Sequence, residues 1–363
     1  MNELATKLSR IRKLLEERNV DALLIRRSDN FAWVTCGAAS FVNQATDHGA
    51  AILLITQSNQ HLITDNIEAP RLEQEEKLVQ QGWEFHITPW HEARDRIEAL
   101  RGGLKLASDG AYLNALDISA ELIPLRATLT VEETARYREI GAACGKAMDT
   151  AIRSVIPGLS EGEIAGQLAR EAWKLDLQPI VVLIASDDRI FHYRHPLPTE
   201  SKLKKYAMLV LCGRRGGLIG SVTRLVHFGK LSDEIQRKAE CVANIDAQFI
   251  LATQPARSLK EIFQLGIEAY REAGYPEEWK LHHQGGLAAY APREIIATAE
   301  TDYRVINGQA YAWNPSITGT KSEDTIIVGE KSNEVITAMP GWPMMEIQSN
   351  GSVIQRPAIL ELT

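Results

Sequence analysis

The sequence is short of the features that mark several common protein classes. Four cysteines, Cys36, Cys144, Cys212 and Cys241, are scattered through 363 residues, and no two form a Cys-x-x-Cys pair. This argues against a zinc knot or a disulfide framework, and reduced, separate thiols are expected. No apolar run approaches the roughly 20 residues of a membrane-spanning helix. The opening MNELATKLSRIRKLLEERNVDALLI has no apolar signal-peptide core and reads as an amphipathic helix leading into a strand. A cytoplasmic location is therefore expected. Excess basic charge is missing too: 40 Lys and Arg face 47 Asp and Glu, for a net charge of −7, with the two signs interspersed. Neither nucleic acid nor membrane is an expected partner. Low-complexity segments and internal repeats are also lacking.

What remains is an ordinary globular composition, 45% hydrophobic and 24% charged. The length exceeds one typical core and implies two domains, placed at residues 1–127 and 128–363. In the first, Leu8, Ile11, Leu14 and Leu15 follow helical spacing, and DALLI (21–25), AAILLIT (50–56), QHLIT (60–64) and LKLASD (104–109) read as short strands. Residues 65–81 are polar with helical spacing. Alternating helices and strands make this an α/β layered domain.

In the second domain, Thr130 precedes Glu133 and Ser160 precedes Glu163 at capping-box spacing, which predicts two helix starts. Strands follow at 179–186, 207–212 and 221–229, then two helices, SDEIQRKAECVANIDAQFILAT and SLKEIFQLGIEAYREAG. The end is strand-rich at 309–315, 323–330 and 333–339. Four helices around a β-rich half give an α+β plan.

Four polar clusters stand out: FHYRHPLPT (191–199), SVTR (221–224), HHQGGLAAYAPRE (282–294), and WNPS (313–316) with KSEDT (321–325). Singly, each has a plain explanation. Adjacent histidines on a strand would point to opposite faces, which weakens His282-His283 as a metal signal. Gly285-Gly286 reads as a bend or a close backbone approach. Cys212 precedes Arg214 and Arg215, which could lower a thiol pKa, but a small buried strand residue is the simpler reading.

In their order and spacing the four clusters resemble the pita-bread family of aminopeptidase P, prolidase, methionine aminopeptidase and creatinase, over nearly the whole chain. A SDNFAWVTCG segment (28–37) follows the first strand. His195-Pro196-Leu197-Pro198-Thr199 matches a His-x-x-Pro-Thr segment, and Ser221-Val222-Thr223-Arg224 stands for an Asp-x-Thr-Arg strand, with Gly229 after it. His282-His283-Gln284-Gly285-Gly286 stands for Gly-His-Gly-x-Gly, Asn314-Pro315-Ser316 for a Glu-Pro-Gly turn, and Glu323-Asp324-Thr325 for a Glu-Asp strand. The resemblance implies a small creatinase-type α/β domain followed by a pita-bread domain, with helices around a curved antiparallel sheet.

The family's metallopeptidases hold two divalent ions with two Asp, one His and two Glu. Here the positions kept are His283 and Glu323. The others are lost: one Asp at Val210 or Cys212, the second at Ser221, and one Glu at Asn314. Two ions carry about four positive charges and need bridging carboxylates, so no metal or other cofactor is expected. Within the family creatinase works without metal, using a histidine as general acid/base. Tyr290-Ala291-Pro292-Arg293-Glu294 is similar to its Tyr-x-Gly-Arg-Glu stretch, although creatinase keeps the Glu that is Asn314 here.

The resemblance thus implies His195, His192, His283 and Glu323 as catalytic residues, with Arg293, Arg224, Tyr290, Asn314, His282, Ser221 and Trp313 binding a small-molecule substrate. The expected activity is hydrolysis, or elimination, at a C–N bond of a small carboxylate-bearing compound. An Xaa-Pro-type metallopeptidase with an atypical metal site and a non-catalytic binding protein are the alternatives. Creatinase-type members are commonly homodimers, so a homodimer is expected, with Arg26, Arg27, Asp29, Asn30 and Phe31 closing a partner's pocket; Trp33 and Trp313 could line it, with core packing the simpler reading for each.

Overall fold

A computed structural model describes residues 2–92, 96–349 and 352–362. The chain divides into two compact units, residues 1–133 and 134–363.

The first unit is a six-stranded sheet with helices. Its strands are β1 (Ala22–Arg27), β2 (His48–Thr56), β3 (Gln60–Asp65), β4 (Glu84–Thr88), β5 (Leu106–Ser108) and β6 (Leu116–Asp117), in the order β4-β3-β2-β1-β5-β6. β1 runs antiparallel to β2 and parallel to β5. Ile11 and Leu15 of the first helix (Glu3–Arg18) are fully buried, as its spacing requires. Residues 65–81 do not form one helix. Only Ala69–Gln74 is α-helical, and Lys77, in the left-handed region at φ 56°, separates it from a 3-10 turn at Leu78–Gln81.

The segment 28–37 places Ser28–Val34 in a short helix, with Asn30, Phe31 and Trp33 buried inside this unit. Asn30 bonds the Asp109 carboxylate and accepts from Arg126. Arg27 pairs with Asp29 and Asp47, and Arg26 lies over the Tyr112 ring. Asn30, Phe31 and Trp33 therefore cannot reach out to a partner's pocket. Phe31 and Trp33 are fully buried here, and the Asn30 amide is satisfied by Asp109 and Arg126.

The second unit carries two sheets. β7 (Gln178–Ser186), β8 (Tyr206–Arg215) and β9 (Leu218–Phe228) form an antiparallel meander, with β19 (Leu360–Leu362) parallel on the β9 edge. β10 (Gly285–Ala288), β11 (Ile295–Ile296), β12 (Ala310–Trp313), β15 (Asp324–Ile327) and β16 (Glu334–Val335) form the other, in the order β11-β10-β12-β15-β16. Short hairpins β13–β14 (Ser316–Ile317, Thr320–Lys321) and β17–β18 (Met344–Ser349, Ser352–Pro357) complete it. A bridge from Thr223 to Glu323, and hydrogen bonds between Ser221 and the Thr325 hydroxyl, tie β9 to the second sheet. Both expected capping boxes are formed: Thr130 with Glu133, and Ser160 with Glu163. The four long helices are Val131–Arg153, Glu161–Trp173, Asp233–Ala252 and Leu259–Glu272.

Candidate active site

Three segments of the second unit bring the polar clusters together. The first is the loop 193–199. Buried Glu161 holds its far end, accepting from the Thr199 amide and hydroxyl at 3.0 and 2.6 Å and also from Ser186 and Arg189. Arg194 fixes its near end on Glu278 and Thr318 at 2.6 and 3.0 Å. His195 is presented between these anchors.

The second segment is 282–286. Gly285 and Gly286 have φ of +106° and +153°, and a Cβ on either would sit 2.1 Å from a carbonyl oxygen, of Ala312 and Ile295 respectively. Glycine is required by this close approach. The Gln284 amide side chain bonds the carbonyls of His282 and Trp279 at 2.5 and 3.1 Å, and its oxygen accepts from Tyr270. His282 and His283 precede the strand, so the two-face alternation expected of them does not apply. Their rings stack at 4.4 Å and both face His195, whose Nε2 lies 2.9 Å from His282 Nε2.

The third segment is 321–325. Glu323 is buried and fully engaged. One oxygen accepts from Arg293 at 2.9 Å, the other from Lys321 at 2.9 Å and the Thr223 hydroxyl at 2.5 Å. Burial pushes its pKa up, but Lys321 and Arg293 overcome that and hold the carboxyl well below the usual range. Lys321 is a site residue that sequence reasoning passed over. The signal was present, because Lys321 and Glu323 are two apart and so share a face of an extended chain.

The rings of His195, His282 and His283 are each held below the ordinary histidine value, which favours their neutral form. Burial, then the Lys321 charge, lowers the pKa of His195; the same two causes with its ring neighbours bring His282 to about 2. Burial, then Arg293, brings His283 to about 4. Nδ1 of each of His282 and His283 is buried without a partner, and so is Asn314 Oδ1.

Ser221 joins this face. Its hydroxyl lies 3.3 Å from Cys212 Sγ, directly across the β8–β9 hairpin, and accepts from Arg293 at 3.4 Å. Val210 pairs with Thr223. Burial pushes the Cys212 thiol up, and Arg214 is turned to Gln178, so this cysteine is a protonated strand residue. Tyr290 is buried beside the site loop, its amide bonded to Glu294.

Three expected site residues are elsewhere. Arg224 alternates to the opposite face of β9 and binds Asp324 at 2.8 Å and the carbonyls of Thr223 and Glu323. Trp313 is core, stacked on Phe249 at 4.7 Å with its indole N–H on Thr253. His192 is exposed at the end of a short helix, with Nδ1 on the Asp188 carbonyl, and makes no hydrogen bond to the other histidines among the described residues.

Against a two-ion metal centre, these donors do not fit. Ser221 and Asn314 are neutral side chains where the family has carboxylates, Cys212 lies beside the Ser221 hydroxyl, and both oxygens of Glu323 already serve side-chain cations. The ring nitrogens of His195, His282 and His283 lie within 4.8 Å of one another, close enough to share an ion. Lys321, whose charge suppresses protonation of all three, opposes a divalent cation there by the same repulsion.

Comparison with known proteins agrees with this architecture. Residues 135–336 match the model of metallopeptidase family M24, and residues 7–145 match the creatinase/prolidase N-terminal domain. An uncharacterized peptidase of Staphylococcus epidermidis is 19% identical over 92% of this chain and 99% of its own length. The Xaa-Pro dipeptidase of Bacillus anthracis superposes with a TM-score of 0.80 at 20% identity, covering 99% of this chain and 100% of that one. The prolidase of Pyrococcus horikoshii does so with 0.78 at 17% identity, covering 92% and 98%. From its first sheet to its histidine loops, this chain belongs to metallopeptidase family M24, with a creatinase/prolidase-type N-terminal domain.

Proposed function

We propose that this chain is a metal-independent, creatinase-like hydrolase that cleaves a C–N bond in a small carboxylate-bearing compound. One observation carries the reading. The glutamate that the family uses as a metal ligand is neutralised here by Lys321 and Arg293, and three neutral histidines face the same space. Among the described residues, these two cations pair with one carboxylate, and the surplus positive charge suits a substrate carboxylate.

His195 is the general base, being the most exposed of the three rings and carrying a lone pair at neutral pH. It takes a proton from water, and the water oxygen bonds to the amide or amidine carbon. The C–N bond breaks as the histidine returns its proton to the leaving nitrogen. The Arg293 guanidinium and the side-chain amide of Asn314 donate to the oxygen or nitrogen on which charge develops.

The test is a screen of small amides, amidines and guanidino acids with the purified chain after exhaustive chelation. Turnover is expected to survive chelation and to fall by about 10²–10⁴-fold in His195→Ala, the usual worth of a general acid/base. Turnover of Xaa-Pro dipeptides that chelation abolishes and manganese, zinc or cobalt restores would replace this reading with the family's metallopeptidase chemistry.

A further inference from the structure

The first unit holds a second cluster of donors, unrelated to the histidines of the candidate active site. His61 lies near the start of β3, and Glu84 and His86 lie on the edge strand β4. The strands are parallel, with His61 opposite Glu84 and Ile63 opposite His86, so all three side chains rise from one face of the sheet. Their donor atoms converge. His61 Nδ1 lies 3.1 Å from His86 Nε2 and 3.1 Å from one Glu84 oxygen, while His86 Nε2 lies 3.5 Å from the other.

Those separations match a coordination polyhedron. With zinc–nitrogen and zinc–oxygen bonds of about 2.0–2.1 Å, tetrahedral ligands stand about 3.3 Å apart. The rings are mostly buried and are held edge to face at 5.1 Å, while Glu84 is largely exposed and can adjust. The Arg96 charge acts on His86 from a side chain whose Nε is bonded to the Thr88 hydroxyl at 2.9 Å, and Glu84 supplies the compensating negative charge.

From this convergence we infer that His61, Glu84 and His86 form a binding site for a divalent transition metal such as zinc, with the fourth position open to water. Two imidazoles and one carboxylate suit zinc, nickel or copper, and not calcium or magnesium, which prefer all-oxygen sets. The ion clips the edge strand β4 to β3. It stabilises the first unit by binding only the folded form.

The test is titration of the chelator-stripped full-length chain with zinc by calorimetry, and with cobalt by visible absorption. One equivalent of tetrahedral or five-coordinate cobalt is expected, with a rise in the melting temperature of the chain on zinc addition. His61→Ala and Glu84→Gln are each expected to weaken zinc binding by ~tenfold or more, as loss of one of three ligands should. Glu84→Gln is a surface change, so it reports even if His61→Ala misfolds. His282→Ala is expected to leave the zinc affinity unchanged. Full affinity in Glu84→Gln together with its loss in His282→Ala would place the ion on the other histidine cluster and overturn the inference. Failure of the wild-type chain to bind zinc would overturn it as well.

Discussion

The two faces of one strand pair, β9 and the segment 321–325, are built from similar residues to opposite ends. On one face Arg224 and Arg356 meet Asp324 and Asp246, with Ser322 and Thr337 bonded in. Two cations face two anions, and the group lies wholly inside the protein. On the other face, Lys321 and Arg293 share the single carboxylate of Glu323. A buried charge is costly unless paired, so a balanced set reads as architecture and an unbalanced one as a place that waits for a partner. Neighbours in sequence fall on different sides of this division: Thr223 and Glu323 look toward the histidines, and Arg224 and Asp324 look away.

Removing one cation from each face breaks the comparison most sharply. Arg356→Met leaves Asp246 and Asp324 with Arg224 alone. An uncompensated buried anion should cost roughly 3–5 kcal/mol, read as a fall in the urea midpoint at unchanged slope. Lys321→Met does the reverse, because Glu323 keeps Arg293 and the remaining pair is balanced. Its stability is expected within about 1 kcal/mol of wild type, while turnover of a carboxylate substrate falls. Equal destabilisation by the two variants would erase the distinction between architecture and site.

Much of this was legible in the sequence. Capping boxes placed two long helices because Ser or Thr three before Glu satisfies helix amides whatever surrounds them. The double glycine announced a close approach, and the backbone carbonyls of Ala312 and Ile295 occupy the space. The order of the polar clusters placed His195, His283, Arg293 and Glu323 together. Other features depend on what comes near, which no local pattern records. The resemblance put Trp313 among the substrate-binding residues, but Phe249 and Tyr311 stack on it and make it core. Lys321 was missed because a lysine reads as solvated, yet period-two alternation already placed it beside Glu323. The same alternation sends Arg224 away from the site. The His282-His283 pair was weakened as a metal signal by a strand rule, in a segment that is not strand.

The smallest effect sharpens the comparison furthest. If the face with Lys321 carries surplus positive charge, its histidines should feel that charge when no substrate is present. His195 is pushed below the ordinary histidine value first by burial and then by Lys321, with Arg293 adding to the same sense and Glu323 opposing. Lys321→Met leaves the burial and removes the largest charge acting on the ring. The His195 titration followed by NMR should therefore move upward, toward 6.5. In sign, the wild-type ring stays neutral to lower pH than the variant ring, so a base-dependent rate should hold on further into acid in the wild type. Arg356→Met, on the balanced face, should leave that titration where it was. A His195 pKa that ignores Lys321 would mean that Glu323 already cancels the surplus, and the site face would then be as neutral as its reverse.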